Sequence, residues 1–476
     1  MESADFTLII PEIFVLTMAC LVLVIDAFLK DEQRNVSYLL SLATLIGAAL
    51  ITWNNHFTSP AIGFSGTFIV DAMADVMKFS VYIVTAAVFV YSRQYLRERA
   101  LFKGEFYVLG LFSVLGMMVL ISAHSMLTVY LGLELMSLSL YAMVAFNRDS
   151  ALSSEAAMKY FILGGFASGV LLYGMSIIYG VTGSLDLAAI SAYLSAQQTF
   201  NAPLLLGMVF IVVALAFKLG AVPFHMWVPD IYHGAPSPVT AFIGTAAKLA
   251  AFGFVMRLLI EGMGAMHGSW QDILIILSVL SLAIGNIVAI AQTNIKRMLA
   301  YSTISHVGFI LLGFIAVNPE GYSAALFYTI TYAITAAAAF GIVILLSREG
   351  FEAENIEDFK GLNARHPWYA FMMLLVVFSM AGVPPTVGFY AKLLVLEAII
   401  DQQMVWLAVV AVLFSVIGAF YYLRVVKVMY FDDAEDSHAI NASGGMHLVL
   451  SSNALLALLL GIFPGALISL CLSAIS

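Results

Sequence analysis

Apolar runs of about twenty residues, separated by short polar punctuation, recur from one end of the chain to the other, and that length is what a helix needs to cross a bilayer. Read against the punctuation, the pattern predicts fourteen segments: 6–29, 36–53, 70–91, 106–122, 124–146, 155–180, 203–231, 238–260, 270–291, 295–317, 321–346, 368–398, 404–431 and 446–474. Segments seven and twelve are longer than one crossing requires, and each carries proline in its interior, where a helix loses a hydrogen bond and kinks or breaks. The expected fold class is therefore an all-α membrane protein with about fourteen transmembrane helices, two of them broken. Between segments two and three, Gly66–Val70 is expected to form a small hairpin. The stretch 186–200 suits a short surface helix, and 347–367 an irregular connection.

Composition agrees with lipid as the solvent: 62% of the 476 residues are hydrophobic and 10% charged, where a soluble domain carries about 25% charged residues. The net charge of −9 comes from acids that fall largely in loops such as Glu349 to Asp358 and Asp432 to Asp436, which read as solvated surface. The first segment has no basic region before it and no small-residue cleavage site after it, so it is expected to persist as a membrane span. The only cysteines, Cys20 and Cys471, lie inside apolar runs and exclude thiol chemistry within one chain.

Lysine and arginine set the orientation. Loops after odd-numbered segments hold Lys30, Arg34, Arg93, Arg97, Arg99, Lys103, Arg148, Lys296, Arg297, Arg348, Lys360, Arg365 and Lys427, while loops after even-numbered segments hold only Arg257. Positive residues stay on the cytoplasmic side, so both termini are expected in the periplasm.

Charge near the bilayer midplane costs a few kcal/mol and by default marks a functional site. Glu134 falls near the centre of segment five, Lys218 of segment seven and Lys248 of segment eight, and Lys392 follows the break in segment twelve. Static ion pairs are the competing account, but one acid cannot neutralise three lysines, and desolvation moves lysine and glutamate toward the range where protons exchange. His225, after the first break, and His306, in segment ten, are either relays between lysines or hydrogen-bonded structural histidines. Asp71, Asp75, Lys78 and Arg424 read as interfacial, snorkelling groups. The nine histidines show no metal-ligand spacing.

Pro223 frees the carbonyl of Leu219, and Pro384 and Pro385 free those of Met380 and Ala381. In lipid, such carbonyls persist only where protein or water satisfies them. Paired breaks, 161 residues apart by proline position (384 minus 223), are the pattern of an inverted-repeat transporter. No dinucleotide fingerprint, phosphate loop or cysteine cluster is present, so no redox cofactor is expected in this chain.

The stretch from Phe217-Lys-Leu-Gly-Ala-Val-Pro-Phe-His225 to Pro-Asp-Ile-Tyr-His-Gly-Ala-Pro236, followed by Lys248, resembles the antiporter-like subunits of respiratory complex I, as do Gln292–Gly308 and Ala381–Lys392. The wording is similar to the N-type of that family and is bacterial in character. The L-type carries a long lateral helix, whereas this chain ends at Ser476, and the M-type has Glu where Lys392 stands.

The resemblance implies two inverted five-helix repeats, at 106–265 and 266–431, after three N-terminal helices (1–105) and before a last helix (432–476). It implies a coupling pair in Glu134 and Lys218, a connecting site at Lys248 and a terminal site at Lys392. It also implies M-type and K-type neighbours in the bacterial inner membrane, with NADH, FMN, iron–sulfur clusters and quinone handled by partner subunits and no nucleic acid involved. A cation/proton antiporter subunit, or the equivalent subunit of a ferredoxin-linked photosynthetic complex, is the alternative. The topology is tested with single cysteines introduced between Arg93 and Lys103 and between Asn54 and Phe68. An impermeant thiol reagent should label them from opposite sides, and labelling from the same side would contradict the fourteen-segment arrangement.

Overall fold

The computed structural model describes residues 3–56, 59–434, 440 and 442–475. Residues 435 and 436 of the acidic stretch after segment thirteen lie outside this set. Among the described residues, thirteen helices are long and apolar enough to cross a membrane, from Ile10–Phe28 to Gly444–Ile462. The remaining expected segment, number twelve, is two shorter helices, Pro367–Ala381 and Val387–Asp401. The fold is all-helical apart from one small hairpin and isolated bridges, and it is a multi-pass membrane architecture.

Both predicted breaks are present and share one build. Segment seven runs as Ala202–Leu219, turns, and resumes at Trp227–Gly234. Gly220 in that turn has φ of +78°, and Gly382 after Ala381 has φ of +85°, a left-handed conformation that glycine adopts without a Cβ clash. A cis proline stands three residues after each glycine, Pro223 and Pro385. Segment eight, expected to be continuous, is also interrupted. Helix Ser237–Gly244 stops at Thr245, whose hydroxyl donates back to Ala241 O at 2.6 Å, and Ala246–Val255 then passes into a π-helical turn, Met256–Glu261. A side chain that bonds the preceding turn bends a helix, and such a bond leaves no proline to mark it.

The chain forms two compact units. The first comprises Met1–Ala86, Phe102–Leu219 and Ala246–Ile273; the second comprises Ala87–Leu101, Gly220–Thr245 and Leu274–Ser476. Helices in lipid gain little from apolar burial against one another and associate where small residues let backbones approach. In the first unit, Gly104–Ile121 and Met126–Val144 cross with Gly116 and Gly132 facing each other's backbones, and Ala151–Thr182 meets Ala202–Leu219 through Gly174 and Gly207. In the second, Gly285 lies against the backbone of Tyr301 and Ser305, and Gly313 against that of Gly321.

The hairpin pairs Ala61–Gly63 with Phe68–Val70. It continues through Ile69 N–H to Ser122 O and His124 N–H to Thr67 O, and then through Leu187 N–H to His124 O. These bonds use the backbone groups left over where two helices end. The expected surface helix is Leu187–Ser195.

Three charges read as interfacial are interior. Lys78 is 1% exposed and pairs with Glu12 at 2.6 Å; Asp75 is buried and meets His56 at 2.8 Å. Asp71 receives Arg257, itself fully buried, through two guanidinium nitrogens at 2.7 and 2.8 Å. Arg257 also reaches Glu261 at 2.6 Å and Ile121 O at 2.8 Å. These groups are held by partners elsewhere in the protein rather than by water alone. Arg424 likewise bonds the carbonyls of Ile290 and Gln292 at the end of segment nine.

The glycine crossings give a direct stability test. A side chain at Gly116 collides with the backbone of Met136, whereas Gly165 on helix Ala151–Thr182 has open space. Overpacking costs roughly 1–3 kcal/mol or more. Gly116→Leu should therefore lower the unfolding temperature of the detergent-purified chain, while Gly165→Leu leaves it unchanged; equal melting of the two would contradict the crossing.

Candidate functional site

The first unit brings together Glu134, Lys218 and Lys248. Glu134 stands mid-way along Met126–Val144 and accepts a short hydrogen bond from the Ser168 hydroxyl. Ser137, three residues on and therefore on the same helix face, accepts the Lys218 ammonium at 2.7 Å and donates to Leu133 O at 2.6 Å. Glu134 and Lys218 thus act on each other electrostatically with Ser137 as the group the ammonium touches. Glu134 and Lys218 share no direct ion pair: the carboxylate is bonded to Ser168 and the ammonium to Ser137.

Lys248, 3% exposed, donates to Leu219 O at 2.6 Å. This is the carbonyl that Pro223 releases, and it belongs to the residue next to Lys218. Lys218 and Lys248 are consequently close enough for their charges to oppose one another. A hydrogen bond involving a charged donor contributes about 1.5–3 kcal/mol, which offsets part of the cost of holding an ammonium in the interior.

The second unit repeats the device. Lys392 donates to Ala381 O at 2.7 Å and to Ser415 Oγ at 2.8 Å, and Ala381 O is the carbonyl released by Pro385. The ammonium lies 5.1 Å from the centroid of the Phe309 ring, within cation–π range. One turn before Phe309, His306 has both ring nitrogens engaged: Nδ1 with Tyr328 Oη at 2.7 Å and Nε2 with Tyr422 Oη at 3.1 Å. Tyr422 also shares a hydrogen bond with Ser302, and Tyr332 donates to Thr303 at 2.7 Å. His225 lies in the turn after the first break, its ring 6.4 Å from that of Tyr301, and it shares no hydrogen bond with His306.

Five hydroxyl partners were not singled out by sequence reasoning: Ser137, Ser168, Ser415, Tyr328 and Tyr422. Only Ser137 carried a local signal, its position one turn from Glu134. Among the described residues, no three His, Cys, Asp or Glu side chains converge as a metal site would require.

The family described as NADH:quinone oxidoreductase/Mrp antiporter, TM, matches residues 123–418, a span that holds all six candidate residues. NADH-quinone oxidoreductase subunit N of Thioalkalivibrio sulfidiphilus is 63% identical over 476 residues, covering 100% of this chain and 99% of that one. The chain belongs to the subunit N family.

Nitrosomonas europaea has a subunit N that is 55% identical over 471 residues, covering 99% of this chain and 98% of its own. Among solved structures, respiratory complex I from Thermus thermophilus contains a chain with TM-score 0.84 and 27% identity, covering 97% of this subunit N family member and 99% of its own length. A chain of the Mrp complex from Dietzia sp. DQ12-45-1b aligns with TM-score 0.83 at 21% identity, covering 100% of this chain and 97% of its own; at that identity the likeness is one of fold.

Proposed function

We propose that this chain is the proton-translocating N-type membrane subunit of a bacterial NADH-quinone oxidoreductase. The observation that carries the proposal is that each break marked by proline leaves a carbonyl inside the protein, and a lysine nitrogen bonds it: Lys248 on Leu219 O and Lys392 on Ala381 O. An amine donates to a carbonyl whether it is protonated or not, so the contact survives loss of the proton. A lysine fixed by a carboxylate would lose its partner's attraction on deprotonation. A lysine fixed by a carbonyl can change charge in place.

In this reading Glu134 biases Lys218 through its negative charge, with Ser137 holding the ammonium at the end of its half-helix. Lys248 bonds the next residue of that half-helix, so a proton leaving Lys218 relieves the repulsion that Lys248 experiences. Lys392, held by Ala381 O and Ser415, is the corresponding switchable group of the second unit. His306, bonded to two tyrosine hydroxyls, serves as a relay in a hydrogen-bonded chain or orders that chain. The subunit carries out the translocation half of the reaction, while NADH oxidation and quinone reduction, with FMN and iron–sulfur clusters, belong to partner subunits.

The remaining parts of the reading follow from the family and the charge pattern. The two breaks lie in two inverted repeats, 106–265 and 266–431. The neighbours are the M-type and K-type subunits, the membrane is the bacterial inner membrane and both termini face the periplasm. The identity of 63% across the full length of a subunit N relative favours this over a stand-alone antiporter, which shares the fold.

Glu134→Gln and Lys218→Ala test the reading in membrane vesicles, with NADH oxidation by a hydrophilic acceptor used to fix the amount of complex. Both should lower quinone-linked proton pumping per complex. Wild-type pumping in both variants would mean that the pair only supports the packing of its helices.

A further inference from the structure

The connection after segment eleven is rich in acids and was expected to be solvated loop surface, yet two of its carboxylates are built into the second unit. Glu352 accepts from Arg99 at 2.7 Å, from Tyr95 at 2.9 Å and from Ser237 at 2.6 Å. Glu354 meets Lys296 at 3.1 Å, and His233 Nε2 and Asn294 Nδ2 at 3.5 Å each. The loop backbone is tied down beside them, Ile295 N–H donating to Glu354 O at 2.6 Å and Ile356 N–H to Thr293 O at 2.9 Å. Six side chains from four parts of the chain therefore converge on two loop carboxylates only two residues apart: Tyr95 and Arg99, His233, Ser237, and Asn294 with Lys296.

His233 lies in Trp227–Gly234, the half of segment seven that follows the break. That half-helix has only eight residues, too few to be stable by propensity alone, so its placement depends on what holds it. Trp227, Val228, Ile231 and Tyr232 bury its apolar face, and its polar contacts lie toward its C-terminal end. Asp230 pairs with Arg297 at 2.9 Å, the carbonyl of Ala235 accepts from Lys296 at 3.4 Å, and His233 meets Glu354. Lys296 and Arg297 open helix Ile295–Ile315, and Glu354 touches both that helix, through Lys296, and the half-helix, through His233.

We propose that Glu354 is a positioning residue for proton translocation, holding the half-helix Trp227–Gly234 against the start of helix Ile295–Ile315 from the loop between segments eleven and twelve. The proposal rests on the function proposed above and adds a residue outside the membrane-embedded set. Burial opposes ionisation of Glu354, but the hydrogen bond from His233 and the charge and hydrogen bond of Lys296 outweigh it and hold the carboxyl down at about 2. A group depressed in this way contributes its stabilisation at neutral pH and loses it only as pH falls through that value.

The test uses the assembled complex, with hydrogen–deuterium exchange of the peptide covering residues 227–235 read beside protons pumped per NADH oxidised with quinone as acceptor. Glu354→Gln keeps the shape and removes the charge. It should speed exchange in that peptide and lower the pumping ratio at unchanged acceptor-linked NADH oxidation, while Glu357→Gln, an exposed carboxylate of the same loop that meets Lys360, should do neither. If Glu354→Gln fails to assemble, the same two readings on His233→Gln decide. Unchanged exchange would overturn the hold itself, and faster exchange with a wild-type pumping ratio would overturn its role in translocation. Normal pumping in Lys218→Ala would instead overturn the function proposed above and leave the exchange result standing.

Discussion

A carbonyl set free inside a membrane protein has to find a donor. An unsatisfied backbone group in hydrocarbon costs several kcal/mol, so a chain that breaks a helix at Pro223 or Pro385 is committed to supplying a partner at that depth. Here the partner in both places is the nitrogen of a lysine. The two requirements answer each other: the carbonyl needs a donor, and the ammonium needs an acceptor that does not lock it in one charge state. Much of what surrounds the breaks serves to keep these two atoms within 2.6–2.7 Å. Left-handed Gly220 and Gly382 end the first halves sharply, and the Ser137 and Ser415 hydroxyls hold the neighbouring ammonium groups in place.

The rest of the scaffold works against a weak driving force. Helices that cannot rely on the hydrophobic effect to find each other close through glycine at Gly116 and Gly132 and at Gly174 and Gly207. Buried charge pairs such as Glu12 with Lys78 and Asp71 with Arg257 fix registry at a cost in desolvation. The loop that carries Glu352 and Glu354 adds a polar contact, Glu354 with His233, to the eight-residue half-helix after the first break. The interior lysines are thus placed by helix crossings and bonded carbonyls, while the half-helix after the first break is placed by its apolar face and by loop chemistry at its end.

How much of this was legible depended on whether the relevant partner was local. Segment count, break positions and the freed Leu219 and Ala381 carbonyls follow from apolar run length and proline, both of which act on their own residue and the turn before it. Glu134, Lys218, Lys248 and Lys392 stood out because a charge amid apolar neighbours is rare. What could not be read depended on residues distant in the chain. Lys78 looked interfacial because it lies near the start of its helix, and nothing nearby announces Glu12. Glu354 looked solvated because it sits in an acidic run, although its fate is decided by His233 and Lys296. The interruption at Thr245 carries no proline, and Ser168, Ser415 and Tyr422 are ordinary membrane-helix residues until another helix puts them beside a carboxylate, a lysine or a histidine.

The central claim is that a lysine bonding a freed carbonyl carries a proton because that bond tolerates both of its charge states. Arginine stays protonated, its pKa lying above about 12, yet it can donate to the same carbonyl. Proton pumping in membrane vesicles should therefore be compared between Lys248→Arg and Lys248→Ala at matched complex content. The account predicts that both variants lose pumping, arginine included, although it preserves the charge and the donor. Full pumping by Lys248→Arg would contradict it and reduce Lys248 to a fixed positive charge that satisfies Leu219 O.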